Sequence, residues 1–91
     1  MSGFYLLDVA EFAPLAEAAR RDARCRVHEV VAGYRFVEFD GAITIFRRDT
    51  GLTEAVWFGC LTAGLDGRIA EFTSQHIRLV ATNEPIVAKS G

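Results

Sequence analysis

The sequence contains no apolar run long enough to cross a membrane as a helix. Its longest uninterrupted apolar stretches, such as residues 55–61 (AVWFGCL), are far shorter than the ~20 residues that such a helix needs. The N-terminal segment MSGFYLLDVAEF also lacks the basic start and the long apolar run of a secretory signal. We therefore expect a soluble, cytoplasmic protein with no membrane partner.

Cysteine is scarce, and the two cysteines predict neither a disulfide nor a metal site. Cys60 lies inside the run AVWFGCL, where a buried, reduced thiol is the usual state. Cys25 and His28 have C-x-x-H spacing, and Cys60 and His76 complete a set of four conceivable zinc ligands. Because no paired knuckle spacing exists and Cys60 is expected to point into the core, we expect no metal and no other cofactor.

An excess of one charge sign is also missing, because 12 acidic and 10 basic residues give a formal net charge of −2. Such a balance does not draw a chain to phosphate backbones, and the glycine-aromatic signature of RNA-binding sheets is absent, so nucleic acid is not an expected partner. The sequence has no Gly-x-Ser-x-Gly element, no recognisable Ser/His/Asp set and no glycine-rich phosphate loop. These absences weigh against an enzyme without excluding one.

What the chain does contain is the composition of one small globular domain. Its 91 residues have room for a single core, and 51% are hydrophobic while 24% are charged. We expect one domain over residues 1–84 and a flexible C-terminal tail over 85–91.

The order of the predicted elements indicates an α+β fold. Apolar residues recur at helical spacing from Phe12 to Ala23, and Pro14 places the start of the regular helix near Ala13. Phe4 to Leu7 is a candidate N-terminal edge strand. Beyond the helix, turn signals separate five predicted strands, at residues 27–39, 42–48, 53–61, 68–73 and 76–82. One amphipathic helix on an antiparallel meander is broadly similar to cystatin and other α+β rolls, an analogy of fold that implies no function.

Two tight turns set the predicted register of the meander. The dipeptide Asp40-Gly41 between alternating apolar residues favours a two-residue type I′ hairpin, which pairs strand 27–39 with strand 42–48. Because Gly33 has no side chain, it predicts a bulge or bend in the first of these strands. A second tight turn at Ser74-Gln75 places Glu71 opposite Arg78 as a cross-strand ion pair.

This register leaves an unusual amount of aromatic surface on one face of the sheet. The face expected to carry the helix holds Phe36, Ile43, Ile45, Val56, Phe58 and Cys60. The opposite, outer face holds Arg35, Val37, Phe39, Thr44, Phe46, Trp57 and Leu61. A register shift of one residue exchanges the two faces without removing the excess.

Such a face can be covered in three ways: by a second copy or another protein subunit, by a small molecule, or by the chain's own N-terminal segment. The leading hypothesis is a small non-catalytic oligomeric protein, a homodimer or an accessory subunit of a larger complex, because aromatic residues flanked by arginine are typical of interface centres. The alternative is a small-molecule binding protein for an organic acid or aromatic compound, or a modest enzyme, that uses the outer sheet face. The candidate ligand-binding or interface residues are Arg35, Thr44, Phe46, Arg48, Trp57 and His76.

Overall fold

The computed structural model of the protein describes residues 2–81 and arranges their strands in two antiparallel sheets. A four-stranded sheet has the order β2-β3-β1-β5 and comprises β1 (Ser2–Leu7), β2 (Cys25–Val27), β3 (Tyr34–Phe39) and β5 (Leu65–Asp66). A three-stranded sheet has the order β4-β7-β6 and comprises β4 (Ala42–Phe46), β6 (Arg68–Phe72) and β7 (His76–Val80). With the short helices α1 (Ala13–Arg20), α2 (Arg47–Thr50) and α3 (Glu54–Phe58), this architecture confirms the α+β class. A cystatin-like roll is not confirmed, because the strands are divided between two sheets.

The predicted amphipathic helix is confirmed as α1. A short 3₁₀ turn at Ala10–Phe12 precedes it, and Pro14 lies in its first turn, where a missing N–H costs nothing. Leu15 and Ala19 are completely buried and contact the core. The apolar periodicity of the sequence therefore located the helix and its buried side as far as Ala19, whereas Ala23 lies beyond the end of α1 and is exposed.

The predicted hairpin at Asp40-Gly41 is wrong. Gly41 does have the positive φ of a tight turn, at 64°, but β3 pairs with β1 and β2 whereas β4 pairs with β7. The chain thus turns at this point from one sheet into the other. An alternating apolar pattern shows which side of a strand is buried, and it does not show which strand lies next to it.

The predicted strand over residues 53–61 is also wrong, because this segment is helical. Gly51, with φ of 72°, ends α2, and Thr53 is the extended N-cap of α3 with its side-chain oxygen 3.5 Å from the Val56 nitrogen. Glu54 follows in the first helical turn, where an acidic residue is favourable. These local start signals prevail over the strand preference of the apolar residues behind them.

The N-terminal strand and the first long predicted strand also differ from expectation. β1 lies in the middle of its sheet, between β3 and β5, and is not an edge strand. Residues 27–39 form the end of β2, a loop and β3, with a two-residue turn at Ala32 and Gly33 whose φ values are 56° and 83°. The predicted hairpin of the last two strands is confirmed, with Glu71 opposite Arg78. Residues 82–91, which include the predicted flexible tail, lie outside the described part of the chain.

A single cluster of buried side chains connects both sheets with α1 and α3. Its largest member is Trp57 in α3, which is 0% exposed. The indole Nε1 donates a hydrogen bond to the Thr73 carbonyl at 2.7 Å, and the ring meets Phe72 edge to face. The prediction that Trp57 lines an outer sheet face is therefore wrong. Within residues 2–81, no helix is long and apolar enough to cross a membrane.

Both cysteines are free thiols, Cys25 partly buried and Cys60 buried, and burial lowers the reactivity of each. Burial and the nearby Asp22 carboxylate raise the pKa of Cys25 to about 11. Burial raises the pKa of Cys60 to about 12, although a backbone hydrogen bond partly offsets the rise. With these raised pKa values both thiols remain protonated at neutral pH. Because the thiolate is the reacting form, both react slowly.

We expect iodoacetamide at pH 8 to leave Cys60 of the native protein unmodified and to react slowly with Cys25. Mass spectrometry of timed samples measures both rates. Unfolding in guanidinium chloride exposes both side chains, so it should give two rapid modifications. Rapid labelling of Cys60 in the native state would contradict the burial of this thiol.

Candidate functional site

The outer face of the four-stranded sheet carries exposed aromatic side chains, whereas Val37 and Phe39, which were predicted to lie on an outer face, are buried in the core. The register of β1 and β3 places Tyr5 beside Phe36 and Leu7 beside Tyr34. The Tyr5 and Phe36 ring centroids lie 4.8 Å apart. Tyr5, Leu7 and Tyr34 are each about two-fifths exposed. The first candidate site is therefore this face, called the aromatic face below.

A row of charged residues crosses the same face beside the rings. Arg26, Glu38, Gly3 and Asp66 are consecutive neighbours across β2, β3, β1 and β5. The Arg26 side chain is 72% exposed at one edge of the sheet, and Asp66 is exposed at the other edge. The aromatic face therefore has a cation along one edge and a carboxylate along the opposite edge.

Glu38 is the one buried carboxylate of this row, with a side chain only 10% exposed. Its Oε1 lies 2.8 Å from His28 Nε2, and its Oε2 lies 3.5 Å from an Arg26 guanidinium nitrogen. A buried carboxylate needs such partners to replace its lost hydration. Glu38 is not among the six residues selected from the sequence, although its alternation with Phe36 along β3 places both on one face.

Gly3 makes room for the ring of Phe36. A Cβ atom at Gly3 would lie 2.3 Å from Phe36 Cζ and 2.5 Å from the Val37 carbonyl oxygen. The ring therefore packs directly against the β1 backbone at a position where any side chain would displace it. This contact fixes Phe36 at the centre of the aromatic face.

An open depression of about 660 Å³ lies over this face. The side chains that line it include Tyr5, His28, Val31, Tyr34, Phe36 and Asp66. Val31 is 73% exposed, because the turn at Ala32 and Gly33 holds it at the tip of the β2–β3 loop. The depression is apolar in the middle and charged at its rim.

Three of the six residues selected from the sequence come together elsewhere, where β4 meets α2. The Arg48 guanidinium carbon lies 5.2 Å from the centroid of the Phe46 ring, and the Phe46 and His76 ring centroids lie 6.1 Å apart. A depression of about 610 Å³ adjoins them. We call this place the Phe46 corner, defined by Phe46, Arg47, Arg48, Leu52, Gln75 and His76.

The other three selected residues lie apart from the Phe46 corner. Thr44 is on the same side of β4 but lines a neighbouring depression with Arg21 and Asp49. Arg35 lies on β3, where it donates to the His28 carbonyl at 3.2 Å. Trp57 is a core residue. The six residues therefore do not form one site.

No family model matches the chain, and neither the search of curated proteins nor that of solved structures found a match. Within residues 2–81, no three His, Cys, Asp or Glu side chains come together in a way that would hold a metal ion. Any assignment of function therefore depends on the chemistry of the aromatic face and the Phe46 corner.

Proposed function

We propose that this chain is a small non-catalytic protein that works as a homodimer, with the aromatic face as the interface between two copies. The observation that carries the proposal is the row Arg26, Glu38, Gly3, Asp66 beside the paired rings of Tyr5 and Phe36. It gives the face an apolar centre and opposite charges at its two edges. A second copy of the same face is complementary to such an arrangement.

The composition of the face supports a protein partner. Tyrosine, phenylalanine and arginine are enriched in interfaces, and the face contains Tyr5, Tyr34, Phe36 and Arg26. Val31 adds an aliphatic side chain that is 73% exposed at the loop tip. An isolated domain gains nothing from holding so much apolar surface in water.

Symmetry selects one arrangement of the two copies. A two-fold axis between the faces, parallel to the strands, reverses the order β2-β3-β1-β5 and lays β2 of one copy over β5 of the other. Arg26 then faces Asp66 of the partner subunit, and Phe36 faces the partner's Tyr5. Each charged pair and each ring pair occurs twice, so the dimer repeats every favourable contact.

The size of the face predicts a dimer of moderate affinity. β1 and β3 have six residues each, but β2 has three and β5 two, so at about 3.3 Å per residue and 4.8 Å between strands the sheet has a flat footprint of about 270 Å². A standard interface takes about 800 Å² of accessible surface from each partner, and corrugated side chains supply part of the difference. We therefore expect dissociation in the micromolar range.

Charge reversal tests this arrangement. We expect Arg26→Asp and Asp66→Arg each to weaken the dimer about tenfold, because each places like charges opposite one another at two symmetric positions. The double variant restores opposite charges between the copies and should recover much of the dimerisation, but not all of it, because Arg26→Asp also removes the ion pair with Glu38 inside each copy. Light scattering coupled to size exclusion, from micromolar to millimolar protein, measures the mass.

Arg48→Asp is the matched control, since it makes the same change of charge on an exposed residue of α2, outside the four-stranded sheet. It should leave the dimer unchanged. A chain that stays monomeric throughout the concentration range would overturn the proposal. A double variant that fails to recover while circular dichroism shows it folded would overturn the parallel two-fold arrangement.

A further inference from the structure

The Phe46 corner holds two adjacent arginines that no carboxylate within residues 2–81 neutralises by an ion pair. Arg47 is half-buried, and its guanidinium donates from Nε to the Ser74 carbonyl at 2.6 Å and from Nη1 to the Leu52 carbonyl at 2.9 Å. Backbone carbonyls fix the position of this guanidinium without cancelling its charge. The corner therefore contains an immobilised positive charge.

The second arginine has a different environment. Arg48 is exposed, and its guanidinium lies over the Phe46 ring at 5.2 Å. A guanidinium over an aromatic ring is weakly hydrated on that side and keeps its N–H groups free at its edge. Both arginines line the depression beside the Phe46 ring.

His76 completes that wall as a ring held in a fixed position. Its Nε2 lies 2.8 Å from Glu71 Oε1, its Nδ1 lies 3.5 Å from Thr73 Oγ1, and its ring meets the edge of Phe46. Glu71 thus orients the imidazole on the β6–β7 hairpin. The adjoining depression of about 610 Å³ has the volume of a small-molecule site.

We propose that the Phe46 corner binds a small organic acid in which a carboxylate is attached to a flat ring. The guanidinium groups of Arg47 and Arg48 take the carboxylate, for which arginine has matching geometry. The rings of Phe46 and His76 pack against the flat part of the ligand. Because Arg47 and His76 are already held by hydrogen bonds, binding orders few further side chains. This site lies on the three-stranded sheet and is independent of the proposed dimer interface.

Benzoate is the first probe, and benzyl alcohol is its uncharged counterpart of similar size. In a titration followed by ¹H–¹⁵N NMR, we expect saturable shifts from benzoate at the backbone amides of Phe46, Arg47, Arg48 and Gln75. We expect benzyl alcohol to bind at least tenfold more weakly. Equal binding of the two probes would overturn the role of the arginines.

Arg48→Gln should weaken benzoate binding about tenfold, because it removes the charge while keeping much of the side chain. Arg68→Gln is the matched control, since this exposed arginine lies at the far end of β6 from the corner, and it should bind benzoate like the unmodified chain. Unchanged binding by Arg48→Gln would overturn the proposal. Inorganic phosphate bound as tightly as benzoate would overturn the role of the ring wall.

Discussion

Trp57→Ala is expected to lower the free energy of unfolding by about 3–5 kcal/mol, because it removes the largest buried side chain and leaves a cavity. It also removes the hydrogen bond that the indole N–H donates to the Thr73 carbonyl. A domain of this length is stable by only about 5–14 kcal/mol, so the loss is a large part of the total. Unfolding in guanidinium chloride followed by far-ultraviolet circular dichroism measures the change.

Phe58→Ala is the matched control in the same helix. Phe58 is 48% exposed and stacks on Phe72 at 5.3 Å, so its removal should cost about 1 kcal/mol. A strand over residues 53–61 would reverse the ranking, because it would turn Phe58 inward and Trp57 outward. Comparing the two variants therefore tests the helical α3 as well as the burial of Trp57.

Gly3→Ala is expected to lower the free energy of unfolding by about 1–3 kcal/mol, the usual range for overpacking a tight contact. The added methyl group would lie 2.3 Å from the Phe36 ring and 2.5 Å from the Val37 carbonyl oxygen. The Phe36 ring and the backbone at Val37 both have to move to make room for the methyl group. Both belong to β3, which with β1 forms the centre of the sheet. Thermal or chemical unfolding of the variant measures the loss.

Gly59→Ala provides the control for adding a methyl group at a glycine. Its Cβ would lie 3.6 Å from the nearest carbonyl oxygen, and its φ of −91° suits any residue. We expect almost no change in stability there. If Gly3→Ala were equally harmless, the packing of Phe36 against the β1 backbone would be wrong.

The elements that the sequence predicts correctly depend on local information. Pro14 and the apolar spacing of Leu15 and Ala19 define α1 without reference to the rest of the chain. The last hairpin joins strands that are neighbours in sequence, so its register at Glu71 and Arg78 follows from one turn.

The errors in the predicted fold come from partners that are distant in sequence. Asp40-Gly41 has the chemistry of a hairpin turn, yet β4 pairs with β7, which begins 30 residues after β4 ends, at His76 after Phe46. Nothing in the residues around Asp40-Gly41 indicates that β4 pairs with β7 instead of β3. At residues 53–61 the sequence does contain a helix-start signal, the N-cap Thr53. The apolar residues that follow it favour a strand and led to the wrong prediction.

The candidate sites show the same limit. Phe46, Arg48 and His76 were selected from the sequence and do lie together, since strand alternation places Phe46 outward on β4. Tyr5 and Tyr34 were missed because β1 was treated as an edge strand, so its pairing with β3 was not considered. The alternation of Tyr34, Phe36 and Glu38 was the one signal that could have placed them on a single face.

The late position of β5 in the chain has a consequence for synthesis on the ribosome. β1, β2 and β3 emerge first, but Leu65–Asp66, which covers one side of β1 at Gly3 and Phe4, follows only after β4 and two helices. Until then a six-residue strand rich in apolar side chains presents an unpaired edge to other nascent chains. Pairing of this edge at Gly3 and Phe4 therefore waits until Leu65 and Asp66 have been synthesised.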